Sequence, residues 1–76
     1  MSTAFVLIRA VSGKEEEIID NLKNSGFVSE VDRISGSHNI LATIENMDKD
    51  IIHQTVQKNI KVIDHVKTTI TLIGTE

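Results

Sequence analysis

The sequence contains no cysteine, no proline, no tryptophan and no tyrosine. Without cysteine there is no disulfide, no thiolate metal site and no cysteine nucleophile. Without proline, nothing in the chain forces a break in a strand or helix. Two phenylalanines are the only aromatic residues, so the platforms on which unpaired bases stack are missing. Basic charge is scarce too: eight Lys and Arg stand against eleven Asp and Glu, a net charge of −3. Phosphate contacts dominate nucleic-acid affinity, and no basic cluster is present to make them. The densest charge run is acidic, Glu15-Glu16-Glu17. Autonomous DNA or RNA binding is not expected. Long apolar runs are also lacking. Residues 4–8 are apolar but end at Arg9, too short for a signal peptide and far below the ~18 residues of a membrane span. The chain reads as cytoplasmic, with no membrane partner.

What is present suits one small folded unit. The 76 residues are 39% hydrophobic and 25% charged, ordinary values for a globular domain and too short a chain for two. A domain this small hides only about 60% of its unfolded surface. With disulfides excluded, association with further chains is the expected source of added stability.

Residues 4–11 (AFVLIRAV) are rich in β-formers and stop at Ser12-Gly13, which favours a buried strand. Ser12 and Glu15 have the spacing of a capping box, and acidic residues fill the turn that follows. Ile18, Ile19 and Leu22 recur at helical spacing, and Gly26 closes a helix expected over 14–24. Residues 28–35 carry Glu30, Asp32 and Arg33 and read as an edge strand. Residues 36–39 are a turn signal, and 40–45 (ILATIE) the next strand. Asp48 is a fair N-cap for a helix with apolar positions at Ile52, Val56 and Ile60. Residues 66–73 (VKTTITLI) close the chain as a strand.

The resulting order is β-α-β-β-α-β, and an internal repeat supports it. Residues 27–31 (FVSEV) and 62–66 (VIDHV) share a pattern, and their starting positions, 27 and 62, are 35 apart. Two β-α-β halves of equal length are the ferredoxin-like α+β plan, with the first and third strands in the middle of an antiparallel sheet. Those two strands are apolar on both faces, whereas two helices cover only one. Phe5 and Leu7 point one way, Val6 and Ile8 the other, so one set faces water in a monomer. Such patches mark interfaces, and dimerisation through the sheet is expected.

Catalytic patterns are weak. Ser12-Gly13-Lys14 suggests a phosphate loop, but the full motif needs Gly where Ile8 stands and Ser or Thr where Glu15 stands; a helix cap explains these residues better. Asp50 and His53 are three apart with no further ligand in sequence, so His38, His53 and His65 read as surface histidines. The acidic run reads as a solvated helix face. No enzyme, metal or cofactor is expected. The Ser35-Gly36-Ser37-His38-Asn39 turn is richer in polar groups than a plain hairpin requires. It offers donors to a carboxylate and acceptors to an ammonium, although turn chemistry alone also favours Gly, Ser and Asn.

Taken together, the element order, the segments at 27–31 and 62–66 and the hairpin at 35–39 resemble the effector-binding (RAM) domain of the leucine-responsive and AsnC-type (Lrp/AsnC) regulators, over essentially residues 4–73. The family typically reads Thr-Gly-x-aromatic-Asp where this chain has Ser35 to Asn39, so its ammonium-holding Asp is here the neutral Asn39. The resemblance implies an amino-acid site at a subunit interface, with Gly36, Ser37, His38 and Asn39 on one wall and Thr69 and Thr71 on another. It also implies dimers that assemble into rings. Because full regulators carry an N-terminal helix-turn-helix domain, it implies a stand-alone member that acts on transcription through other proteins, including full-length Lrp/AsnC-type regulators. Restoring the acid by Asn39→Asp is then expected to strengthen binding. A purely structural or protein-interaction dimer with a decayed ligand site is the alternative. A small dimeric ferredoxin-like enzyme using His38 is a third.

Overall fold

A computed structural model of the chain describes residues 2–75, with the backbone alone at positions 46, 47 and 75. Its elements are β1 (Ser2–Ala10), α1 (Glu15–Lys23), β2 (Glu30–Arg33), β3 (Ile40–Met47), α2 (Lys49–Thr55), a π-helical turn (Val56–Ile60) and β4 (Val66–Thr75). The four strands form one antiparallel sheet in the order β2-β3-β1-β4. This is the ferredoxin-like α+β architecture expected from the sequence, with the two apolar strands in the centre. At one end of the sheet Ser2 pairs with Thr75; near the other, Ile8 pairs with Ile40 and Thr69.

Alternation along the strands separates the two faces. Ala4, Val6, Ile8 and Ala10 are buried together with Ile40, Ala42 and Ile44. Ile18, Ile19 and Leu22 of α1 and Ile52, Val56 and Ile60 of the second helical segment cover them in one core. Small side chains at Ala4 and Ala42 leave room for the helices on the central strands. The opposite face has no helix: Phe5 is 45% exposed, Ile70 44% and Leu72 54%. The register places Leu7 between Leu41 and Ile70, and Phe5 between Thr43 and Leu72. Of the two sets left open by the sequence, Phe5 and Leu7 are the uncovered one.

Three local expectations need correction. The Ser12 capping box does not form: α1 begins at Glu15 with Lys14 as N-cap and no side-chain cap bond. Gly13 has a φ of +87°, and the Lys14 N–H donates to the Val11 carbonyl (3.0 Å). That tight turn takes the place Ser12 would need. The second helix is not α-helical to its end. A strict four-residue repeat overshoots one 3.6-residue turn and walks around an α-helix. The wider i→i+5 turn at 56–60 walks it back, so Ile52, Val56 and Ile60 all reach the core. The strand expected over 28–35 is only Glu30–Arg33, because Ile34 N–H donates to the Asn39 carbonyl (3.1 Å) to close the hairpin and Val28 packs against the core.

No helix among the described residues is long and apolar enough to cross a membrane.

Candidate functional site

The hairpin between β2 and β3 sits at the sheet end where β1 finishes. Gly36, at a φ of +124°, gives it a conformation that other residues rarely adopt. Beyond it, Asn39 extends the pairing of β3 with β1. Its backbone N–H donates to the Ile8 carbonyl (3.1 Å), and its side-chain Oδ1 accepts the Ala10 N–H (2.9 Å). Its Nδ2 then donates to Glu15 Oε2 (3.1 Å) at the start of α1. One side chain thus joins the hairpin, the end of the central strand and the first helix.

Glu15 is held from the other side as well, since its Oε1 accepts the Gly13 N–H (2.9 Å). Its own backbone amide, the Gly13 amide, the Arg33 guanidinium and the Asn39 amide keep the carboxyl below its usual pKa, against a smaller opposing effect of desolvation. The neighbouring Glu16 pairs with Arg33 at 3.1 Å. The result is a positioned, ionised carboxylate at the base of the hairpin, which the sequence did not single out. Glu15 and Asn39 are 24 residues apart, and the local pattern of Glu15 pointed to a cap.

His38 is half-buried on the other flank. Its Nδ1 lies 3.3 Å from Ser37 Oγ and its Nε2 3.5 Å from Thr68 Oγ1. Either ring nitrogen can bear the proton with hydroxyls as partners on both sides. Thr68 pairs with Arg9, which places it on the uncovered face, whereas Thr69 and Thr71 pair with the buried Ile8 and Val6. Asn39 of the hairpin therefore meets Glu15 and His38 meets Thr68, on opposite flanks, while Thr69 and Thr71 lie on the helix-covered side of β4. The parity of one strand decided this, and without a register the sequence could not supply it.

A cleft of about 550 Å3 lies elsewhere, between the end of α1 and the π-helical turn, where Asn21, Phe27, Lys58 and Asp64 line it. At the hairpin, by contrast, Asn39 carries the Glu15 carboxylate on one flank and His38 stands with the Ser37 and Thr68 hydroxyls on the other. Among the described residues, no three His, Asp or Glu side chains converge as a metal site.

No protein-family model matches the sequence, and no curated protein sequence does. Solved structures do match. A Thermus thermophilus protein is 26% identical, with a TM-score of 0.91 over 100% of this chain and 95% of its own. Escherichia coli AsnC is 21% identical, with a TM-score of 0.88 over 99% of this chain and 51% of its own. A Neisseria meningitidis transcriptional regulator, solved as a complex with L-Met, is 13% identical, with a TM-score of 0.85 over 99% of this chain and 50% of its own. The chain thus corresponds to about half of each regulator and to nearly all of the Thermus protein. The resemblance to AsnC-type regulators drawn from the hairpin and the element order is borne out as a shared fold.

Proposed function

We propose that this chain is an oligomeric, non-enzymatic domain that binds a small amino-acid effector at its hairpin and modulates transcription through protein assembly, without binding DNA itself. The observation that carries this reading is the Glu15–Asn39 pair: an ionised carboxylate, held by the Gly13 amide and the Asn39 side chain, at the base of the hairpin that carries Ser37 and His38. Glu15 suits an ammonium group, and the hairpin donors suit a carboxylate. The shared fold with AsnC and with a regulator solved with L-Met supports an amino acid as the ligand class.

The uncovered sheet face supplies the assembly. Phe5, Leu7, Leu41, Ile70 and Leu72 form an apolar centre; in register with them lie Glu30 and Asp32 on one side and Arg9 further along β1. A second copy, turned about a two-fold axis, buries the apolar centre and sets rim charges of opposite sign against each other. His38 and Thr68 stand at the end of that face, so a ligand there stabilises one arrangement of copies over another, and the regulator partner reads that arrangement.

A thermal-shift series against the twenty amino acids tests the binding. A ligand at 100 times its dissociation constant adds about 2.7 kcal/mol, several degrees for a domain of this size. A selective shift that disappears in Glu15→Gln supports the reading; no shift with any amino acid refutes it. A second reading, an interaction dimer without a ligand, is favoured by one fact: both ends of the Asn39 amide are already engaged within the chain.

A further inference from the structure

A second cavity, of about 380 Å3, opens where β4 begins and is lined by Lys61, Val66, Lys67, Thr68 and Thr69. Lys61 and Lys67 are both exposed, and neither is in an ion pair among the described residues. No acidic side chain lines the cavity. Two lysines therefore line one cavity with no acidic side chain beside them in its lining, in a chain whose net charge is −3. Like charges so placed disfavour each other, and an anion between them relieves the repulsion.

Thr69 provides an independent observation. Its Oγ1 is buried with no hydrogen-bond partner, the one such side-chain atom among the described residues. Buried hydroxyls are nearly always paired, and one that is not marks a place where a partner is missing. The register with Ile8 turns Thr69 toward the covered side of the sheet, and Thr69 lines the cavity together with the exposed Lys61 and Lys67. Ordinary roles exist for each lysine alone: Lys61 complements the end of a helical segment, and Lys67 protects an edge strand. Neither role accounts for their convergence or for the unpaired hydroxyl.

We infer that this cavity is a binding site for a small oxyanion, a carboxylate or phosphate group held between Lys61 and Lys67, with the Thr69 hydroxyl as donor after a change of rotamer. The site borders the hairpin cluster at Thr68, but Lys61, Lys67 and Thr69 lie outside that cluster, and the proposal does not depend on the hairpin reading.

The test is an NMR titration of the whole chain with sodium phosphate, and separately with sodium succinate, at constant ionic strength maintained with sodium chloride. Saturable movement of the Lys67 and Thr69 amide resonances is expected without movement of those of Glu15 and Asn39, and the arm that produces it distinguishes phosphate from carboxylate. The Lys61→Ala/Lys67→Ala variant, folded by circular dichroism, is expected to weaken binding at least tenfold. Thr69→Val is expected to weaken it several-fold while raising the melting temperature, a combination that a purely structural hydroxyl does not give. Shifts that follow ionic strength alone, or an unchanged affinity in the double-lysine variant, overturn the proposal. So does loss of assembly in that variant without a response to either anion, which assigns the lysines to contacts between copies.

Discussion

The Asn39 amide donates to the Glu15 carboxylate across 3.1 Å while accepting the Ala10 N–H at 2.9 Å. Position 39 is therefore a structural joint as well as part of the candidate site. An aspartate there keeps the bond from Ala10 but faces Glu15 with a second negative charge.

Asn39→Asp is accordingly expected to lower the melting temperature by several degrees at pH 7. The loss shrinks toward pH 4 as the two carboxyls come to share a proton. Melting temperatures of both proteins across pH 4–8 check this. An equal loss at every pH counts against repulsion at this pair. The same geometry makes Asn39→Asp a poor way to strengthen amino-acid binding unless Glu15 is changed with it.

Glu15 also sets a pH dependence. Its carboxyl is held below the usual range in the folded chain, so the unfolded chain binds more protons, and stability rises with pH through that interval. The contribution is complete above the ordinary carboxylate range and is lost as pH falls through the lowered pKa. Glu15→Gln is expected to flatten the acid limb of a stability–pH curve measured by urea denaturation and to leave the alkaline limb unchanged.

The two faces of the sheet separate assembly from folding. Leu72→Lys lies on the uncovered face and is expected to reduce the particle size in light scattering while the far-ultraviolet spectrum stays folded. Ile8→Ala lies in the core, where Ile8 is fully buried, and is expected to cost about 2–5 kcal/mol. A folded Leu72→Lys variant of unchanged size contradicts the proposed sheet interface.

Gly13 isolates a backbone effect. A Cβ added there meets nothing within 4 Å, but its φ is +87°. Gly13→Ala is expected to destabilise by about 1–2 kcal/mol through conformation alone, measurable by denaturant unfolding. It is also expected to loosen the Glu15 carboxylate, which the Gly13 amide holds.

Much of this fold was legible because long-range order followed local pattern. The apolar runs at 4–11 and 40–45 needed cover on both faces and became the two central strands. Asp48 stands at the N-cap of the second helix, though through its carbonyl and without a side-chain cap bond, and the charged strand within 28–35 is an edge. Features set by contact across the chain were not legible. The π-helical turn shows in sequence only as a four-residue repeat, which an α-helix also tolerates over two steps. The bond from Asn39 to Glu15 joins residues with no common motif. The separation of Thr68 from Thr69 depends on a register that composition does not encode. The hairpin itself was legible because its excess of small polar residues is local.

The pairing of Ser2 with Thr75 puts the start of the central strand β1 beside the end of the outer strand β4. The hairpin lies at the far end of β1, roughly 27 Å away along eight residue steps of strand. A fluorescent or affinity tag at either terminus thus leaves from the same corner and stays clear of the hairpin. A short linker between residues 2 and 75 would suffice for a circularly permuted chain. New ends could then be opened in the exposed turn at 36–37, which makes the continuity of the hairpin a variable that can be removed while every strand of the sheet is kept.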